Sequence, residues 1–426
     1  MSGIGQSNDI SVKSPFPTQA CLQVGIRTWD TPKHELQDIQ WMSALQRPQR
    51  SADRSGAGPH EFRMFGRIAG AIRDIAFDDH IIIYLLRRRN AARRSFLEDA
   101  MEQPLLEIRD LTASFRIEKK WVVAIKDIEF SIHRGETLGI VGESGCGKSV
   151  TSMSILRLFP KTSFRIDKGE VLFSGRDLTK ITDHEMSRVR GKEISMIFQD
   201  SMTSLNPVLT VGNQLEEAFL LHGTYTRQQA EQKAIEFLTQ VGIPSPERRI
   251  REYPHQLSGG MRQRVMIAMA LAQRPPLIIA DEPTTALDVT IQAQIMELLK
   301  TLKRDIGSSI MLITHDMGVV ADMADRILVM YAGMTMETGT ARDIFKNPLH
   351  PYTQGLLAAI PRKDKDIGHL YSIEGTVPSL QTMPQGCRFC DRCTKAMERC
   401  HTECPGMIEH DGHGVRCFLY ADKQEG

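Results

Sequence analysis

The stretch Leu257-Ser258-Gly259-Gly260-Met261-Arg262-Gln263 constrains this chain more than any other. A serine hydroxyl followed by two glycines at a helix start presents backbone N–H groups with no side chain in the way. Anions bind readily at such helix N-termini. A second glycine-rich element, Gly142-Glu143-Ser144-Gly145-Cys146-Gly147-Lys148-Ser149, fits G-x-x-x-x-G-K-[ST] in full and is already a phosphate cradle. Two phosphate-facing elements in one chain imply a second nucleotide, held mainly by another subunit. The chain is expected to be half of an ATP sandwich.

The context of the phosphate loop agrees. Thr137–Val141 is a short apolar run that reads as a buried strand, and Ser149–Leu158 carries the apolar spacing of a helix. Strand, loop and helix are what the motif needs: backbone amides wrap the phosphates, Lys148 reaches the outer ones, and the Ser149 hydroxyl ligates magnesium. Further on, Leu277-Ile278-Ile279-Ala280-Asp281-Glu282-Pro283 places two carboxylates at the C-terminal edge of an apolar strand, where open α/β sheets bind ligands. Asp281 is expected to hold magnesium through water. Glu282, one residue later, is the expected general base. Gln199 and His315 each follow another apolar run, Ile194–Phe198 and Ile310–Thr314.

The order of loop, glutamine, Ser-Gly-Gly run, Asp-Glu pair and histidine resembles the ATP-binding cassette proteins. Gln199-Asp200-Ser201-Met202-Thr203-Ser204-Leu205-Asn206-Pro207, Asp281 through Thr290, His350-Pro351-Tyr352-Thr353 and a cysteine-rich tail are similar to the ATPase subunits of oligopeptide/dipeptide (or nickel) importers. The likeness runs from about Pro104 to about Tyr420; Ser201 departs from it, since the family often has proline there. The resemblance implies an α/β P-loop cassette with a RecA-like core, an antiparallel β subdomain, an α-helical subdomain and a Cys-rich C-terminal appendage. It makes Gln199 the nucleotide-sensing glutamine, which shares the magnesium site with Ser149 and Asp281, and His315 the γ-phosphate switch. Leu257, Ser258, Gly259, Gly260 and Gln263 are then the signature facing the partner's ATP, with Ala286-Leu287-Asp288 as the D-loop at the same contact. An aromatic side chain stacks on adenine in this family; Phe115 and Trp121 both qualify by spacing.

The implied activity is ATP hydrolysis coupled to peptide import, with nickel or another small solute as the alternative. The implied partners are a second ATP-binding subunit, two integral membrane permease subunits and an extracytoplasmic solute-binding protein, at the cytoplasmic face of a bacterial inner membrane. A DNA-repair cassette would carry a long coiled coil between Lys148 and Ser258, and a translation-type protein would carry a second phosphate loop. Neither is present in the sequence. A net charge of +1 gives no sign of a nucleic-acid surface.

The chain reads as three parts: an N-terminal extension over 1–101, the cassette over 102–350 and a Pro-, Gly- and Cys-rich region over 351–426. Residues 1–100 hold 12 Arg against 2 Lys and no long periodic pattern. Met101 looks like a natural start for this family, so a dispensable extension is expected, with a membrane-surface helix or a partner-binding arm as the functional alternatives. Helix Gln292–Lys303 is expected to bury Ile295, Leu298, Leu299 and Leu302 along one stripe. Met202, Leu205 and Val208 are expected on a docking surface.

Six of the eight cysteines fall in the last 40 residues, a density that suggests metal ligands in a reducing compartment. By resemblance, Cys387, Cys393, Cys400 and Cys417 are the four thiolates of a [4Fe–4S] cluster. Cys387, Cys390 and Cys393 also form C-x2-C-x2-C. That spacing leaves Cys390 as an alternative ligand, four-cysteine zinc as a competitor and free thiols as the third reading.

Overall fold

Residues 103–423 are described by the structure, a computed structural model, except 201–203, 223–224, 286, 361–371 and 411. The N-terminal extension, Ser201, Met202 and Ala286 therefore lie outside the described residues.

Two sheets make the scaffold. The first holds β1 (Leu106–Ile117), β2 (Lys120–Ile132), β4 (Phe164–Phe173) and β5 (Arg176–Asp177) in the antiparallel order β2-β1-β4-β5. Glu118 and Lys119, both at positive φ (49° and 67°), turn β1 into β2; two left-handed residues match the twist of a tight hairpin. The runs Trp121–Ile125 and Phe130–Ile132 are both part of β2.

The second sheet has eight strands: β3 (Thr137–Val141), β6 (Ile194–Ile197), β7 (Leu277–Asp281), β8 (Ser309–Thr314), β9 (Arg326–Tyr331), β10 (Met334–Thr340), β11 (Ile408–His410) and β12 (His413–Val415). Their order is β11-β12-β10-β9-β3-β8-β7-β6. From β9 to β6 the neighbours run parallel. Every residue of β3, β7 and β8 is buried, as apolar runs covered on both faces require. The helix after the phosphate loop spans Lys148–Ile155, three residues short of the expected end, and Leu158 is exposed.

Helices Val211–His222, Arg227–Gln240 and Gly259–Leu271 form the helical part, and Leu215, Phe219, Phe237, Leu238, Val265 and Ile267 share its core. The helix at Val289–Ile306 buries Ile295, Leu299 and Leu302, with Leu298 only partly buried. Leu205 is also in this core at 2 % exposure, so it does not belong to an outer docking surface, whereas Val208 is exposed.

The cysteine-rich region is not an appendage. Its hairpin β11–β12 extends the large sheet through pairing of β12 with β10. Cys387, Phe389, Cys390 and Cys400 share a buried cluster with Tyr331 and Tyr352. Glu337 of β10, fully buried, accepts the backbone N–H groups of Leu349 and His350, and its carboxylate lies 2.7 Å from His413 Nε2.

Candidate nucleotide site

The loop 142–149 leaves the C-terminal end of β3. Gly147 has φ +102°, and a Cβ there would come within 3.1 Å of the Gly333 Cα, so no other residue fits without a shift. Ser144 and Gly145 are exposed. The Cys146 side chain points the other way, into the core, and only its backbone is available to the loop. Lys148 is 5 % exposed; its ammonium donates to Gly142 O (2.7 Å) and Glu143 O (3.1 Å) and stands 3.8 Å from Glu282 Oε1.

The C-terminal ends of β6, β7 and β8 bring the remaining groups to the same edge. Ser149 Oγ donates to Asp281 Oδ1 at 3.0 Å. Burial pushes the Asp281 pKa up to about 6, aided by the adjacent Glu282 charge and opposed by Ser149 and Lys148. This pair of oxygens, one on a buried acid, suits a hard divalent cation, which would favour the ionised form. Glu282 collects four partners. Its Oε2 accepts from Gln199 Nε2 and Thr285 Oγ1, both at 2.9 Å, and its Oε1 lies 3.4 Å from His315 Nδ1 as well as beside Lys148. Glu282 itself sits at φ 45°, held by its N–H to Ile313 O at 2.8 Å. A non-glycine residue in that region costs about 1–3 kcal/mol, a pattern typical of functional sites. The structure thus gathers Lys148, Ser149, Asp281, Glu282, Gln199 and His315 around one point. Gln199 turns its amide nitrogen to Glu282.

Comparison with known proteins decides the family. Residues 125–285 match the family described as ABC transporter, and residues 336–400 match the oligopeptide/dipeptide transporter C-terminal region. The oligopeptide transport ATP-binding protein AppD of Bacillus subtilis (strain 168) is 50% identical over 320 residues, covering 75% of this chain and 98% of the relative. The dipeptide transport ATP-binding protein DppD of the same organism is 51% identical, covering 76% and 97%. This chain belongs to the oligopeptide/dipeptide ABC transporter ATP-binding proteins.

It is an ABC ATPase, with the mixed α/β cassette fold. A solved relative, the dimeric structure of the bacterial ABC transporter cassette MJ0796, is 31% identical with TM-score 0.50, over 56% of this chain and 99% of that one. In the signature, Ser258 and Gly259 are exposed, and Ser258 Oγ caps its own helix by accepting from Met261 N at 3.3 Å. Leu257 and Gln263 do not face outward: they are 4 % and 2 % exposed, and Gln263 Nε2 has no hydrogen-bond partner. Gln263 lies on the second turn of the helix, on the side packed against the core, so the exposed part of the signature ends at Gly259. Asp288 caps the helix Val289–Ile306 through Ile291 N, and Leu287 is half-buried.

Of the two aromatic candidates, Phe115 packs with Phe159 and Phe164 at centroid distances of 5.0 and 5.1 Å, while Trp121 carries the Arg165 guanidinium 4.4 Å from its ring centre. Three residues that sequence reasoning did not place complete the site. Thr285 holds Glu282; Tyr352 and Arg392 hold Glu143, with Tyr352 Oη accepting from Glu143 N at 2.9 Å. Thr285 adjoins the Asp-Glu pair and was within reach of inspection, whereas nothing in the sequence links position 392 to position 143.

In the tail, burial pushes the Cys387 thiol up to about 12, with Cys400, Cys390 and Cys417 adding to the effect. Burial likewise raises Cys393, with Cys400 contributing, and Cys417, with Cys393 and Cys400 contributing. Cys390 belongs to the same group, since it acts on Cys387 and is acted on by Cys400. Cys404 stands apart and exposed. Among the described residues, the set of metal-type ligand atoms lying mutually within 4.8 Å is Cys390, Asp391 and His401, not the four thiols.

Proposed function

We propose that this chain is one of two ATP-hydrolysing subunits that drive peptide uptake through a membrane transporter. The observation that carries the reading is Glu282 fixed by Gln199 and Thr285, next to Lys148 and His315, one residue from the Ser149–Asp281 pair. Peptide is favoured over nickel because the relatives at about half identity are named for oligopeptide and dipeptide transport.

In this reading the amides of residues 142–149 and the Lys148 ammonium bind the phosphates, and the open end of the sheet orients the terminal one. Ser149 and Asp281 would hold magnesium, with Gln199 beside them, and the bound ion would supply neutralisation of phosphate charge. Glu282 accepts the proton of the attacking water, and His315 contacts the γ-phosphate. Ser258, Gly259 and Gly260 face the ATP held by the second cassette, so hydrolysis follows closure of two cassettes on two nucleotides. Val208 lies on an open surface beside the Gln199 loop, suited to the membrane subunits. No helix among the described residues is long and apolar enough to cross a membrane; two permease subunits and an extracytoplasmic binding protein would supply the path and the peptide. In proteoliposomes holding the assembled transporter, ATP-driven uptake of a labelled oligopeptide should vanish with Lys148→Ala. Uptake that survives this change, or that carries nickel and no peptide, refutes the assignment.

The cysteine cluster is read as a structural [4Fe–4S] site on Cys387, Cys393, Cys400 and Cys417. Four thiolates are what such a cluster requires, and zinc on four cysteines is the competing reading.

A further inference from the structure

The phosphate loop carries a carboxylate, Glu143, that the mechanism does not use. Glu143 neighbours the groups that bind a polyanion, so its charge opposes the nucleotide unless it is neutralised or turned away. Arg392, 249 positions later and in the one-turn helix Cys390–Arg392, meets it in a bidentate pair, Nη1 to Oε2 at 2.6 Å and Nη2 to Oε1 at 3.1 Å. The guanidinium is 7 % exposed. Its remaining donors are used as well: Nε to Glu374 O (2.8 Å), Nη2 to Ile373 O (3.1 Å) and Nη1 to Tyr331 Oη (3.2 Å). A fork with every donor engaged has one orientation, which suits it for fixing a partner. Tyr352, fully buried, ties the Glu143 backbone N–H at the same point. Both the charge and the backbone of this loop residue are therefore set from beyond residue 350.

We propose that Arg392 is a positioning residue for the ATP site, through which the cysteine-rich segment neutralises Glu143 and holds the phosphate loop in its binding shape. The inference rests on the loop 142–149 being the ATP site. An unpaired carboxylate within several ångströms of the triphosphate, in partly screened surroundings, weakens binding on the order of tenfold.

The test uses the full-length chain in the assembled transporter, with steady-state ATPase kinetics and binding of a fluorescent ATP analogue. Arg392→Ala should raise the KM for ATP about tenfold with kcat within about threefold of wild type. The double variant Arg392→Ala/Glu143→Gln should return KM to within about threefold, because no carboxylate is left to neutralise. Loss of packing alone would lower the active fraction and would not be rescued by Glu143→Gln. An unchanged KM in Arg392→Ala, or a double variant no better than the single, overturns the proposal. Lys148→Ala separates the two levels. If it too keeps ATP affinity, the site assignment fails; if it loses affinity while Arg392→Ala does not, the role of Arg392 fails.

Discussion

Replacing Glu282 with glutamine removes the base while keeping its volume and most of its contacts. The carboxylate is held by two donors at 2.9 Å, Gln199 Nε2 and Thr285 Oγ1, both on Oε2. A glutamine amide oxygen can keep those two bonds if its nitrogen turns to the Oε1 side. That side faces the Lys148 ammonium at 3.8 Å and His315 Nδ1 at 3.4 Å, of which only a neutral imidazole can accept. The ground state is thus close to preserved, and ATP affinity should stay within about threefold of wild type. Proton acceptance is lost altogether. A positioned general base contributes about 10²–10⁴ in rate, so the barrier should rise by about 3–5 kcal/mol and kcat fall by the same factor. The assay is phosphate release by the assembled transporter at saturating ATP, paired with binding of a fluorescent ATP analogue. A Gln variant within about threefold of the wild-type kcat would refute the base assignment. So would a variant that lost binding in proportion to turnover, since the carboxylate would then be acting on nucleotide affinity.

Three further outcomes are expected. Burial raises Asp281 from its unfolded value of 3.8 to about 6, so its ionised form is disfavoured in the fold, and the stability it lends is lost as pH rises through about 6. Magnesium needs that ionised form. The Mg2+ concentration for half-maximal ATPase should therefore climb as pH falls through about 6, and a requirement independent of pH between about 5.5 and 7.5 would contradict the role. His413→Ala strips the buried Glu337 carboxylate of its side-chain partner and leaves two backbone N–H donors. Denaturant unfolding should show about 2 kcal/mol of lost stability, partly restored by adding Glu337→Gln, and a loss below about 1 kcal/mol would argue against a stabilising His413–Glu337 contact. Anaerobically purified protein should be brown, absorb near 400 nm and hold about four irons per chain. Serine at Cys387, Cys393, Cys400 or Cys417 should remove the colour, while serine at Cys390 or Cys404 should spare it. A colourless protein with one zinc, or colour lost on changing Cys390, would contradict the ligand set.

The candidate catalytic groups could be singled out in the sequence because each lies within a few residues of the strand that delivers it. Apolar runs such as Leu277–Ala280 and Ile310–Thr314 are short and rich in β-branched residues, which favours buried strands, and the structure has them so. Once those strands lie parallel in one sheet, Asp281, Glu282 and His315 reach the same edge with no further information. The same locality explains the errors. Gln263 belongs to the signature by spacing, yet helical period turned it inward to 2 % exposure. Leu205, in a loop expected to dock a partner, was taken by the core of the helical part. What only the tertiary structure decided are contacts between positions 76 to 249 residues apart. Arg392 meets Glu143 and Tyr352 meets the Glu143 amide across the sequence, while the pairing of β12 with β10 brings His413 beside Glu337. Sequence patterns report which side of an element is apolar. Which distant charge comes to lie opposite another depends on strand order and the return path of the chain, and neither has a local signature.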